Sequence, residues 1–372
     1  MLVIALYVPN SLPAHSDFSA LYNTDLALVN GIPIYDLEAV EAIAVKASGI
    51  PAENFFLARF PYPPWYALGT FFLGLLPAKA AATLWFELNL VMLLLSVWLI
   101  TDGRSGHLRL IAFPLALFFL PVLGALSVGQ YDFPVLLGTS LLIYSLREKN
   151  ATLTTLGAIL ITFKPHIGAL ILLSALIYLI VNGSNFGRRA LRSILIAGAL
   201  LFIVGFVADP AWPITYPKML LGYQGEGNVL SCSECTSLPV WLSRWFFDGS
   251  LSTATTIAVV LLVMLIGIFF TRRNVLLKSS ELFLTTALSI TLLSSPYLYN
   301  YDFLLLLVPF AILISMESNL FQRSIIILSY LIPTIAIVLY GREGNISLLL
   351  VTILIIILLY SKSKVDVPAF AS

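Results

Sequence analysis

Charge is what this chain lacks most. Asp, Glu, Lys and Arg make up only 10% of its 372 residues, against about a quarter in soluble domains. That shortage excludes an ordinary water-soluble domain. A net charge of +1 without a basic patch excludes a nucleic-acid surface. Cysteine is nearly absent. Cys232 and Cys235 are too few for a disulfide framework, and one C-x-x-C without a second pair does not make a zinc site. A loop-pinning disulfide outside the cytoplasm is the expected use. There is no G-x-x-x-x-G-K-[ST] and no Gly-rich strand–turn–helix, so no phosphate cradle for a soluble nucleotide. No metal or cofactor site is expected. No cleavable signal peptide is evident, and Met1–Pro9 is apolar but too short to span; a first helix cut short is expected.

What is present in excess is apolar residues, at 59%. Uncharged runs near 20 residues recur along the whole length, which is a transmembrane signature. Backbone groups in lipid must bond within their own segment, so an all-α polytopic membrane protein is expected, folded as a single integral membrane domain over 1–372. Candidate spans fall at about 79–101, 110–127, 132–146, 152–163, 166–181, 193–208, 253–271, 281–297, 302–316, 324–340 and 346–361, a bundle of about 11–12 with the N-terminal stub. Residues 64–76 read as an interfacial or dipping segment. Lys164-Pro165 must break one apolar run into two short antiparallel helices. Alternate loops then hold thirteen and seven of the twenty Lys and Arg. The richer set, with Arg109, Arg147 and Arg188, is assigned to the cytoplasm. The Pro13–Pro64 stretch, the Lys164 turn, the Asp209–Ser250 loop and the Pro296–Asp302 segment therefore face outward from the plasma or inner membrane.

Pro13–Pro64 is the most polar part of the N-terminal half. Ser16 suits a helix N-cap, with Phe18, Leu21, Tyr22, Leu26 and Val29 at helical spacing and a stop at Gly31 and Pro33. Asp36 suits the cap of a second helix ending near Gly49. Both are expected on the membrane surface with their apolar faces down.

Polar groups at membrane depth are costly and mark functional positions. Four places on the outward side carry them: Asp17 with Arg59 and Tyr62; Gln130, Tyr131 and Asp132; Lys164 and His166; and Tyr299, Asn300 and Asp302. A carboxylate suits proton abstraction from a hydroxyl, and Asp17 is the candidate base. Lys164, His166 and Arg59 suit a phosphate that gains charge as it leaves. Tyr62, Gln130, Asp132, Tyr299, Asn300 and Asp302 are candidate substrate contacts. Each has a structural reading as well. Asp17, Asp132 and Asp302 suit helix starts, Lys164 suits snorkelling to the interface, His166 suits packing, and the tyrosines suit an interfacial belt. A transporter or flippase for a lipid-linked glycan, or a glycan polymerase, would share such an outer cleft. The absence of a repeat and the one-sided polar groups favour an enzyme.

Several segments resemble glycosyltransferase family 87: S-D-F-S-A-L-Y-N-T-D-L-A-L-V-N-G-I-P-I-Y-D at Ser16–Asp36, F-P-Y-P-P at Phe60–Pro64, L-P-A-K-A-A at Leu76–Ala81, S-V-G-Q-Y at Ser127–Tyr131, G-A-I-L-I-T-F-K-P-H-I-G at Gly157–Gly168 and S-P-Y-L-Y-N-Y-D at Ser295–Asp302. They occur in order over roughly 16–310. Tyr131 stands where the family usually has Asn, and His166 where it often has Gln. The resemblance implies a GT-C-like helical bundle and a mannosyltransferase-like hexosyltransferase. It implies a polyprenyl-phosphate sugar donor and a glycan or glycolipid acceptor. Asp17 would be the general base, and Lys164 would help hold the lipid phosphate. The absence of the Asp-x-Asp pair of soluble nucleotide-sugar enzymes agrees with a lipid-linked donor.

Overall fold

The computed structural model describes residues 8–14, 16–103, 106–226, 235–246, 279–295, 298–316 and 320–363. Every regular element among them is an α- or 3-10 helix. In chain order the α-helices are α1 (Ser16–Val29), α2 (Leu37–Ser48), α3 (Pro64–Thr70), α4 (Ala78–Ile100), α5 (Gly106–Phe118), α6 (Leu120–Val128), α7 (Asp132–Arg147), α8 (Ala151–Ile161), α9 (Pro165–Asn182), α10 (Asn185–Ala208), α11 (Trp212–Glu226), α12 (Leu238–Phe246), α13 (Ser280–Ser294), α14 (Leu307–Ser315), α15 (Leu320–Tyr340) and α16 (Ile346–Ser363).

Among the described residues, four apolar stretches are long enough to cross a membrane: α4, α9, α10 and the 42-residue run Leu320–Ser361. The last contains α15 and α16 and doubles back at the 3-10 turn Gly341–Asn345, where a Cβ on Gly344 would lie 2.2 Å from the Ala336 carbonyl oxygen. Arg109–Phe118 and Leu120–Val128 form a helix pair bent by 60°, a broken span or a re-entrant loop. These are fewer than the apolar runs counted along the sequence. Several of those runs, such as α7, α8 and α13, are short helices, and α7 and α13 are enclosed by others. A helix surrounded by protein need not match the bilayer thickness. The expected run at 253–271 lies outside the described residues. Large apolar side chains point away from the bundle on α4 (Leu94, Trp98), α10 (Leu195, Ile203) and α15 (Val338, Leu339), as lipid-facing surfaces require.

The Pro13–Pro64 stretch departs from expectation in one respect. Asp36 caps α2 by accepting from Ala39 N at 3.2 Å, and Gly49 closes it in the left-handed conformation (φ +68°). This helix stays at the surface, burying only Val40 and Ala44. By contrast, α1 is packed inside, with Phe18, Leu21 and Asp25 fully covered. Its cover is α3 and the 3-10 turn Phe71–Leu75, pressed so close that a Cβ on Gly74 would meet the Asp25 carbonyl oxygen at 2.3 Å. The segment read as interfacial is therefore the lid of the first helix.

The frame around the site is closely packed. Helices α7 and α8 touch backbone to backbone, since a Cβ on Gly138 or on Gly157 would lie 2.9 or 2.8 Å from the other's carbonyl oxygen. Helix α7 runs about 24 Å from Asp132 to Arg147. At its far end Arg147 bonds Asp102 at 2.9 Å, and Arg109 pairs with the same carboxylate. The Asp209–Ser250 loop is described only in part. Cys235 is disulfide-bonded, Cys232 lies outside the described residues, and Thr236 N donates to the Leu298 carbonyl at 2.6 Å.

Candidate active site

Two tight turns and a 3-10 helix bring the polar groups together. The first turn follows α6. Gly129 adopts φ +71°, where a Cβ would crowd Phe18 Cβ at 3.0 Å and Leu12 Cδ2 at 3.2 Å, so glycine is required there. Its carbonyl accepts from Trp85 Nε1 at 2.8 Å. The next three residues are Gln130, Tyr131 and Asp132, the last opening α7. Gln130 Oε1 accepts from Tyr131 N at 2.8 Å, which leaves the amide to donate to the Asp17 carboxylate. Tyr131 Oη donates to the Asp17 backbone carbonyl. Asp17, at the start of α1, is thus held by both Gln130 and Tyr131.

The second turn is the expected break at Lys164-Pro165. Lys164 takes the N-cap position of α9 with Pro165 after it. The reversal is close enough that a Cβ on Gly168 would lie 2.0 Å from the Ile161 carbonyl oxygen. This geometry aims the Lys164 side chain inward, where the residue is 2% exposed. Its Nζ lies 2.8 Å from Asp132 Oδ1 and also bonds Asp302 Oδ1. A buried ammonium needs such partners. Asp302 sits in the 3-10 helix Asn300–Leu306, and its Oδ2 accepts from Tyr299 N at 2.6 Å. The Tyr301 ring lies 5.7 Å from Lys164 Nζ and stacks on Tyr299. Asp132 Oδ2 is a buried acceptor with no partner among the described residues.

Two carboxylates therefore bond one ammonium, and the Asp17 carboxylate lies within its field. Burial pushes the Asp17 carboxyl up to about 6. Lys164 draws it down, Asp302 drives it up, and the Gln130 bond draws it down. Near neutral pH it is largely ionised yet basic enough to take a proton from a hydroxyl during bond formation. Aromatic rings wall the site: Tyr62 and Tyr131 meet at 4.8 Å, Phe60 and Tyr62 at 5.2 Å, and Tyr66 stacks on Phe163 at 4.4 Å.

Of the residues singled out in the sequence, Asp17, Gln130, Asp132, Lys164 and Asp302 form one cluster, with Tyr62 and Tyr299 beside it. His166 is exposed on the first turn of α9, within the field of Lys164 and Asp302. Arg59 is half-buried, three residues before Tyr62. Asn300 opens the 3-10 turn without a bond to the Lys164 cluster among the described residues. Sequence reasoning missed Asp25. It is fully buried on α1, accepts from Thr70 Oγ1 at 3.1 Å, and burial pushes its carboxyl well above the usual range. The signal was available, because Asp25 falls on the apolar stripe of Phe18, Leu21, Tyr22 and Val29. Tyr131, noted in the sequence beside Gln130, bonds Asp17, and Tyr301, for which an interfacial belt was the structural reading, lies near Lys164.

A polytopic helical bundle with its ionisable cluster gathered at one end is the class these features define: a membrane-embedded protein with a polar site at one membrane face. The sequence model of glycosyltransferase family 87 matches residues 60–296, and the chain belongs to that family. It is a glycosyltransferase enzyme. The match takes in the Phe60–Pro64, Gly-Gln and Lys-Pro segments, while Asp17 and Asp302 flank it. No curated protein and no solved structure matches the chain.

Proposed function

We propose that the enzyme is a hexosyltransferase, mannosyltransferase-like, that moves one sugar from a polyprenyl-phosphate donor to a hydroxyl of a glycan or glycolipid acceptor on the outer face of the cell membrane. The observation that carries this reading is Asp17. It stands beside the Lys164 cluster, oriented by Gln130 and Tyr131, with its carboxyl held about 6. The acceptor oxygen attacks the anomeric carbon from the face opposite the phosphate. The new C–O bond forms as the bond to the phosphate oxygen breaks. The hydroxyl proton passes to Asp17, polyprenyl phosphate departs, and the anomeric centre inverts. The donor is already activated, so the reaction as proposed takes no cofactor.

The departing phosphate is assigned to Lys164, His166 and Arg59. Lys164 reaches it only when Asp132 or Asp302 gives way, so this cluster is the part expected to rearrange on donor binding. Tyr62, Gln130, Asp132, Tyr299, Asn300 and Asp302 are assigned to sugar and acceptor hydroxyls. The orphan Asp132 Oδ2 is the clearest acceptor among them. Positioning two reactants in one cleft can supply part of the ~7–11 kcal/mol available to ideal orientation.

The experiment is sugar transfer in membranes containing the full chain, with radiolabelled polyprenyl-phosphate mannose, wild type against Asp17→Asn. Label reaching a lipid or glycan acceptor only with the wild type supports the reading. If neither this donor nor its glucose and arabinose counterparts is used by folded, abundant protein, the donor class is wrong. Undiminished turnover by Asp17→Asn removes Asp17 from the mechanism.

A further inference from the structure

Helix α10 carries a charge pattern that the transfer reaction does not use. Asn185, Arg188, Arg189 and Arg192 lie at i, i+3, i+4 and i+7, so they share one stripe. They line a common surface hollow. All three arginines are exposed, and none forms an ion pair with the described residues. Asn185 Oδ1 accepts from Arg188 Nη2 at 2.6 Å, and its carbonyl accepts from Arg189 Nε at 3.4 Å. These contacts gather two guanidinium groups over the first turn. No carboxylate occurs in the sequence between Glu148 and Asp209, so helices α8–α10 bring no negative charge to this stripe.

The same stripe continues into apolar residues that the bundle leaves uncovered. Leu195 is 71% exposed, Ile196 55% and Ile203 61%. From Arg192 to Ile203 the helix rises about 16 Å, close to half of a ~30 Å hydrocarbon core. One face of α10 thus offers three phosphate-binding forks at one membrane boundary and an apolar track one leaflet long directly beneath them. Guanidinium groups bind phosphate bidentately and are less strongly hydrated than ammonium.

We propose that this face binds an anionic phospholipid, its headgroup phosphate on Arg188, Arg189 and Arg192 and its acyl chain along Leu195, Ile196 and Ile203. The lipid occupies the leaflet opposite the Lys164 site, because α9 carries the chain from Lys164 to the α10 start. The site is independent of the transferred sugar and of the donor.

The test is native mass spectrometry of the full chain released from nanodiscs containing equal phosphatidylglycerol and phosphatidylcholine. Wild type is expected to retain phosphatidylglycerol preferentially. A basic group near an anionic surface changes binding about fivefold, so R188Q/R189Q/R192Q is expected to weaken retention on the order of 100-fold. Helix content and monodispersity confirm that the variant folds, as three exposed side chains should allow. Lys149→Gln, at the same end of the bundle, serves as the control for surface charge in general and is expected to retain the lipid. Equal retention of the two lipids by wild type, undiminished retention by the triple variant, or an equal loss in Lys149→Gln overturns the proposal.

Discussion

In the proposed mechanism Asp17 takes the acceptor proton. Its replacement by Asn keeps the shape and the Gln130 contact but removes the proton acceptor. The expected loss in turnover is roughly 10²–10⁴-fold, with unchanged thermal unfolding, read by radiolabel transfer. The pH dependence follows from its raised carboxyl. With a pKa about 6 in the folded protein, the base form is lost as pH falls through 6. Turnover should be level above pH 7 and drop about tenfold per unit well below 6. Removing the Gln130 bond, which draws the carboxyl down, should move this limb to higher pH in Gln130→Leu. A limb that stays at the wild-type position would show that Gln130 does not tune Asp17.

Gln130, Asp132, Lys164 and Asp302 were legible because each interrupts an apolar run, where a polar group is costly. Their pairing was not. Lys164 read equally as a phosphate ligand or a snorkelling side chain, and only the Gly168 turn decides that its ammonium points inward onto two carboxylates. Among the tyrosines, Tyr301 has its ring 5.7 Å from Lys164 Nζ, a contact that the belt reading did not foresee. The cap readings of Asp132 and Asp302 hold in part, since Asp302 does accept from the Tyr299 backbone while also bonding Lys164.

At the scale of elements, Lys164 joins the start of α7, the start of α9 and the 3-10 helix at 300–306. Lys164→Met would leave two buried carboxylates facing each other. The expected destabilisation is about 3–5 kcal/mol, seen as a lower thermal midpoint in detergent. Adding Asp132→Asn and Asp302→Asn should recover most of it, because the uncompensated charge is gone. Failure to recover would mean that Lys164 supports the fold by packing rather than by charge. The α7–α8 contact makes a separate demand. Gly157→Val would force the two backbones apart at a contact of 2.8 Å, at a cost of about 1–3 kcal/mol. Asp132 would be displaced with α7, so transfer should fall even in protein that remains folded. The short helices were readable from apolar runs and the Pro165 break. The burial of α1 was not, because its cover at 64–75 lies some 40 residues further along.

Across the described residues, the bonded charged clusters lie at two ends. Asp17, Asp132, Lys164 and Asp302 gather at one, and Asp102, Arg109, Arg147 and Glu281 at the other. On the proposed topology, which rests on the positive-inside bias, the second end faces the cytoplasm. Glu53→Cys and Lys149→Cys are both at exposed positions. In sealed cells an impermeant thiol reagent should label the first, and the second only after permeabilisation. Labelling of both from one side would overturn the topology.

The Lys164 cluster also has an order in time. Its partners lie 32 and 138 residues away along the chain. A membrane protein is threaded into the bilayer as it is synthesised, so Asp132 is already present when Lys164 emerges, and the two can neutralise each other at once. Asp302 arrives about 140 residues later and converts a neutral pair into a charged triad. Translation that stops before residue 302 would thus leave an intermediate with its buried charge balanced but its active site unfinished. The balanced pair is thus the state of this cluster while residues 165–301 are being made.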